Sequence, residues 1–216
     1  MGADIHMFYE LKINGKWELY DWQAKYRSGN YEDGSPRYNW SEMWEDVLSI
    51  NRNYRLFALL AGVRNDGSFE PIKSPISLPY DVSDKVKAEH DSWGIDAHSA
   101  TWYMLDELLN YDYNQQDIGF SGVISREQFF DIENGNTDRP KIYSQQVIGR
   151  YSRTISNEEM RTIDFDDGLS YYTRWEWVEK CREAVGKAWF DVLAELSRIK
   201  QLKKVEDVRL IMWFDN

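Results

Sequence analysis

Residues 4–11 alternate with period two. Ile5, Met7, Tyr9 and Leu11 point one way, and Asp4, His6, Phe8 and Glu10 point the other. Only a strand with one buried face satisfies that pattern. Asn14-Gly15 follows, a strong short hairpin signal, and residues 16–22 read as the returning strand. The far end of the chain closes on a second strand over residues 208–214, which is almost wholly apolar. A strand so apolar cannot stay unpaired in water. The economical fold therefore places both ends of the chain in one sheet.

Between them the pattern is helical. Residues 53–61 predict a helix that is apolar on most sides through Leu56, Phe57, Leu59 and Leu60, stopped at Gly62. Ser41 is placed to cap a short helix carrying Met43, Trp44, Val47 and Leu48, and Ser83 a polar one running to about Ser92. Ser99 or Thr101 opens another, with Trp102, Leu105, Leu108 and Leu109 as its stripe. Ser125 and Gln128 fit a capping box ahead of Phe129 and Phe130. Thr173 and Glu176 fit a second, ahead of the longest helix, over residues 175–199, with Trp175, Cys181, Trp189 and Leu196 on its apolar face. Residues 142–151 read as a strand. Residues 26–39 read as a loop, and so do residues 64–81, which hold Pro71, Pro75 and Pro79. No repeat or linker is visible. The expectation is a single α+β domain over residues 1–216, with a mixed or antiparallel sheet containing both terminal strands and a long C-terminal helix packed on it.

Charge and composition narrow the function. The 216 residues include 37 acidic and 26 basic side chains, a net charge of -11. That balance disfavours a general nucleic-acid coat and an anionic membrane surface. No apolar run reaches the roughly 20 residues of a membrane span. Met1 leads directly into a polar alternating segment, so no leader peptide is expected and a cytoplasmic protein is. Cys181 stands alone, which excludes an intrachain disulfide framework and a multi-cysteine zinc site. It falls on an apolar stripe and reads as a structural thiol. Asp164, Asp166 and Asp167 with Gly168 lack the spacing of a calcium loop and read as a turn. No Walker loop, dinucleotide fingerprint, G-x-S-x-G elbow or H-E-x-x-H motif is present.

Four constellations could carry chemistry. Asp4-Ile5-His6 puts a carboxylate and an imidazole on one strand face, and Asp96-Ala97-His98 repeats the spacing. Asp4, His6, Asp96 and His98 would together suit a divalent metal, although each pair is a short motif that chance also supplies. No cofactor is otherwise expected. His90 lies among Lys87, Glu89 and Asp91 and reads as a solvated surface residue. The cationic group comprises Arg52, Arg55 and Arg64 around the apolar helix, with Lys73 beyond; arginine grips phosphate through a planar fork. A helix start at Ser99–Thr101 would add free backbone N–H groups, a second phosphate seat. The ordinary role for each arginine is a solvated ion pair. The aromatic group is large: ten tryptophans stand in the chain. Trp44 and Trp102 fall on apolar stripes and read as core, whereas Trp40 and Trp93 border loops and could stack a base.

The residues Met1-Gly2-Ala3-Asp4-Ile5-His6-Met7, Arg52-Asn53-Tyr54-Arg55-Leu56-Phe57-Ala58, Val63-Arg64-Asn65-Asp66-Gly67 and Asp96-Ala97-His98-Ser99 with Trp102 resemble a group of small phage-encoded proteins that open on M-G-x-D-I-H. The resemblance covers residues 1–110. It implies a bacterial host cytoplasm and a role in disarming host defence, a task that other small phage proteins perform by binding or cleaving nucleotide immune signals.

Three functions follow as expectations. The first is a binding protein that sequesters a nucleotide-type ligand through Asp4, His6, Arg55, Arg64, Trp93, Asp96, His98, Ser99 and Thr101. The second is a metal-dependent phosphodiesterase built on the two Asp-x-His pairs, with a metal-bound hydroxide attacking phosphorus. The third is an acidic interaction protein that blocks a host defence protein. Homo-oligomer formation is compatible with all three.

Overall fold

The two patterned ends of the chain do pair. The computed structural model describes residues 2–137, 149, 151–162 and 167–215. β1 (Asp4–Ile13) turns into β2 (Lys16–Leu19) through Asn14 and Gly15, at φ 49° and 76°. Positive φ at both central residues is the turn whose twist matches a hairpin. β9 (Asp207–Asp215) lies antiparallel to β1, from Asp4 opposite Asp215 to Lys12 opposite Asp207. β5 (His98–Met104) pairs antiparallel on the other side of β9, giving the order β2-β1-β9-β5.

The alternation of β1 decides what packs where. Residues opposite one another in adjacent strands share a face. Tyr9, Leu11, Leu210, Met212 and Phe214 therefore lie on one side of the sheet, and α2 (Tyr54–Ala61) covers it, with Phe57 edge-on to Phe214 at 5.2 Å. Gly62 closes α2 in the left-handed region as expected, and Asn53, read as the first helical residue, is instead its cap, with its side chain accepting from the Leu56 N–H. On the other side Phe8, Ile211 and Trp213 pack with Val86 and Trp93 of α3 (Asp84–Trp93). The 64–81 segment is a loop, and it covers the outer edge of β5: the Ile76 and Ser77 N–H groups both donate to the Ala100 carbonyl.

The chain divides into two compact units, Met1–Gln116 with Lys180–Asn216, and Asp117–Glu179. The first also holds β3 (Arg27–Asn30), β4 (Pro36–Tyr38), α1 (Trp40–Trp44), α4 (Leu105–Asn110), α7 (Cys181–Val185) and α8 (Lys187–Lys203). The second contains β6 (Asp117–Ser125), α5 (Arg126–Glu133), β7 (Ser152–Thr154), α6 (Asn157–Thr162) and β8 (Ser170–Lys180), with its own core of Ile124, Phe129, Met160 and Tyr171. Ser125 caps α5 by accepting from the Gln128 N–H. The class is α+β.

Five expectations are corrected. Residues 170–180 form a strand, so the long helix begins later and is broken. Their helical spacing coincides with an alternation of Tyr171, Thr173, Trp175 and Trp177, and aromatic and β-branched residues favour the pleated surface. Thr173 is no cap; its hydroxyl bonds Asn157 Oδ1 at 2.5 Å. Gly186, at φ 82° and ψ 162°, separates α7 from α8 in a conformation that only glycine adopts readily. Trp189 is 1 % exposed, so this helix does belong to the core. Residues 98–104 are strand rather than helix start, because β9 needs a partner and Thr101, Trp102 and Tyr103 suit a sheet; the helix waits until Leu105. Trp44 is 51 % exposed rather than core, because α1 ends there and buries only Met43. Residues 26–39 carry the β3–β4 hairpin within the expected loop. Most of the strand expected over 142–151, and Asp164 and Asp166, lie outside the described residues. Among the described residues no helix is long and apolar enough to cross a membrane.

Candidate functional site

β1 begins, β9 ends and β5 begins at one end of the sheet. The registers put Asp4 opposite Asp215, His6 opposite Trp213, and both Ile5 and His98 opposite Phe214. The two Asp-x-His segments thus arrive at the same end from positions far apart in sequence. They do not converge. Trp213 and Phe214 are neighbours on β9 and point to opposite faces. His6 stacks on Trp213 with centroids 5.8 Å apart, and His98 stacks on Phe214 at 6.2 Å. The sheet separates the two imidazoles. Asp96 is exposed in a short 3-10 turn, and Asp4 is held by Arg52. Among the described residues no group of three or more His, Cys, Asp or Glu side chains is arranged to hold a metal ion. The expected four-residue metal set is not assembled.

Each face has its own chemistry. On the α3 face, Asp4 takes both Arg52 Nε at 2.8 Å and Nη2 at 2.6 Å, and this hydrogen-bonded guanidinium holds the Asp4 carboxyl below the usual carboxylate range. A Cβ on Gly2 would lie 2.7 Å from Arg52 Nη1, so glycine is what lets the guanidinium approach. The Asp4 N–H donates to Asp215 Oδ1, which turns Oδ2 to within 3.4 Å of His6 Nε2. That contact is within ion-pair reach of a protonated ring, yet Nε2 makes no hydrogen bond. Trp93 closes over the imidazole at 4.2 Å. His90, expected to be solvated, is half-buried with its ring edge-on to Trp213 at 5.1 Å.

On the α2 face, β5 carries a bulge between His98 and Thr101. Such an extra residue bends a strand and re-aims its side chains. Ser99 occupies it at φ 55°, in the left-handed region. Its hydroxyl lies 3.0 Å from His98 Nδ1. The helix-start phosphate seat expected at Ser99–Thr101 does not exist, because Thr101 is a buried strand residue. Arg55 lies half-buried on α2 and Arg64 is exposed just beyond it, each with contacts of its own.

Unpaired buried polar atoms concentrate here. Among the described residues six such side-chain atoms have no hydrogen-bond partner: His6 Nε2, His90 Nδ1, Trp213 Nε1, His98 Nε2, Thr101 Oγ1 and Ser83 Oγ. All but the last lie on Trp213, on the two imidazoles that pack against it, or at the start of β5 on the opposite face of the sheet. Buried polar groups are normally satisfied, and each exception calls for a water, an ion or a ligand.

Sequence reasoning missed the group that holds the α3 face in place. Arg209, 2 % exposed, bonds Glu10 Oε2 through Nε at 2.7 Å and Asp81 Oδ1 through Nη1 at 2.6 Å. Glu10 Oε1 accepts the Ser83 N–H, and the Asp81 carbonyl accepts Arg209 Nη2. The guanidinium also lies 4.1 Å from the Trp17 ring centroid. Burial pushes the Asp81 carboxyl up, but the Arg209 hydrogen bond and charge outweigh it and leave the group below its usual range. The network ties the start of α3 to the sheet, and α3 carries His90 and Trp93. The visible signal was a charge inside the apolar run 208–214. Cys181 is buried, and burial pushes its thiol up to about 11, as a structural thiol requires.

Compared with family models, with curated proteins and with solved structures, the chain matches none.

Proposed function

We propose that this end of the sheet binds a small nucleotide-type molecule and that the protein acts by holding it. The observation behind this reading is the cluster of unpaired ring nitrogens on His6, His90 and Trp213, with His98 Nε2 across the sheet. Heteroaromatic rings whose nitrogens make no hydrogen bond, two of them with a carboxylate 3.4 and 3.6 Å away, match the flat, hydrogen-bonding edge of a nucleobase. The imidazole side chains of His6 and His90 are 21% and 24% exposed, so the rim of the cluster meets solvent while the nitrogens themselves are buried. The phosphate role moves to Arg52. Its pair with Asp4 is half exposed on both sides, and such a pair contributes little, so exchange for a phosphate costs little. The separation of the two imidazoles favours binding over metal-assisted hydrolysis. With the phage resemblance, the ligand class is a host immune signalling nucleotide, held in the host cytoplasm.

The test is mass spectrometry of small molecules released on denaturing the protein purified from its host, followed by calorimetry against mononucleotides, cyclic dinucleotides and cyclic ADP-ribose. A released nucleotide that rebinds, with affinity weakened by about 1–3 kcal/mol in His6→Ala, supports the reading. Failure of every nucleotide to bind rejects it. Time-dependent loss of the nucleotide, dependent on Mn²⁺ or Zn²⁺ and abolished in His6→Ala, replaces sequestration with phosphodiesterase chemistry.

A further inference from the structure

The sheet has two edges of different kinds. The β5 edge is covered by the 64–81 loop, whereas β2 is paired on one side only. Ile13 pairs with Lys16, Leu11 with Glu18 and Tyr9 with Tyr20, whose N–H donates to the Tyr9 carbonyl. In that register the backbone groups of Trp17 and Leu19 point outward. Among the described residues neither has a backbone partner. A cavity lies against each face of this strand. One of about 560 Å³ is bounded by Trp17, Leu19 and residues 81–85. The other, of about 480 Å³, is bounded by Leu11, Glu18, Tyr20 and residues 203–206. An edge strand flanked by hollows on both faces is the geometry that accepts an added strand, with alternate side chains dropping to either side.

We propose that the added strand is β2 of a second copy, paired antiparallel about a two-fold axis through Trp17. The sequence Lys16-Trp17-Glu18 is self-complementary in that arrangement. Trp17 stands opposite Trp17 of the second copy, in a pair that exchanges two backbone hydrogen bonds. Lys16 stands directly opposite Glu18 of the second copy, and Glu18 opposite its Lys16. Opposite charges directly across a strand pair stabilise it, and like charges there oppose it. Neither side chain is tied up within the chain: both are exposed, and neither has an ion-pair partner among the described residues. A two-fold contact uses one patch twice, so closure is automatic and the chain stops at a dimer. The repulsion of two chains of net charge -11 makes the association weaker at low salt.

Light scattering on a sizing column tests this with the intact chain, whose monomer mass is 25.7 kDa. The wild-type protein is expected at twice that mass at moderate salt. Lys16→Glu alone and Glu18→Lys alone should each elute as monomers with unchanged circular dichroism, because each sets like charges against each other across its own two-fold contact. Mixing the two variants should restore the dimer. One chain then presents two carboxylates at positions 16 and 18, the other presents two ammonium groups, and every cross-strand pair is again opposite in sign. Lys16→Glu/Glu18→Lys should also dimerise by itself. The rescue excludes misfolding as the cause of the monomers. A wild-type monomer at all concentrations, or a dimer indifferent to both single reversals, overturns the proposal and leaves the ligand reading untouched. Weakened nucleotide binding in His6→Ala leaves the dimer untouched in turn.

Discussion

The two faces of the β2-β1-β9-β5 sheet solve burial in opposite ways. On the α2 face the buried phenol hydroxyls end on backbone carbonyls, and only at the start of β5 do His98 Nε2 and Thr101 Oγ1 lack a partner among the described residues. The Tyr9 hydroxyl donates to Leu48 at 2.8 Å, and the Tyr103 hydroxyl to Leu60 at 2.6 Å. Burial pushes both phenols up, so they stay neutral and act only as donors. On the α3 face full charges are buried, with Arg209 between Glu10 and Asp81, and further along the same face ring nitrogens lack partners. Away from the start of β5, the first is what stability alone requires. The second uses burial to fix an orientation, here that of α3 over His6. Buried ion pairs are weak contributors to net stability but costly to break, so they report on positioning.

The largest effect should come from halving the buried pair. Arg209→Ala leaves Glu10 buried and unpaired and should cost about 3–5 kcal/mol in chemical denaturation. Glu10→Leu/Arg209→Met should recover most of that loss while loosening α3, seen as faster amide exchange over residues 84–93. If the double variant is as unstable as the single one, the network is a stability element and the contrast between the faces fails. Tyr9→Phe on the other face should cost about 1–2 kcal/mol, one buried hydrogen bond and an orphaned carbonyl, with α3 exchange unchanged.

Acid should separate the faces next. Asp4 and Asp81 both have carboxyls held below the ordinary 3.8 in the folded state. Their contribution is therefore complete above that value and lost as pH falls through the lowered one. Thermal midpoints should hold level from neutral pH to about 5 and fall below about 4. Asp81→Asn should flatten that fall, whereas Tyr9→Phe should lower every midpoint equally. The smallest stability change belongs to His6→Ala, which removes a ring with an unsatisfied nitrogen: under about 1 kcal/mol, alongside weakened ligand binding. A large loss of stability there would make His6 a packing residue.

The sheet was the most legible part of the chain, because period-two alternation, an Asn-Gly turn and an apolar end are local signals with one solution. The α2 helix and its stop at Gly62 were equally readable. Residues 170–180 were misread because Trp175 and Val178 fit a helix and a strand alike, and only pairing in a sheet selects between them. The candidate site was half readable. Asp4, His6, Trp93 and His98 do gather at one sheet end, but His90 looked solvated beside its charged neighbours, and the helix seat at Ser99 was never formed.

The sequence by itself determined which side chains β1 sends to each face, since a pleated strand allows no other assignment once Tyr9 and Leu11 must be buried. It also determined the hairpin, the apolar helix and the stop at Gly62. Tertiary structure alone decided the rest. Phe214 sets His98 on one face and Trp213 sets His6 on the other only because β9 lies between β1 and β5, a strand order that no local pattern encodes. The pairing of Glu10 with Arg209 comes from the same register: residues 199 apart in the chain become direct neighbours when the two ends of the chain share a sheet.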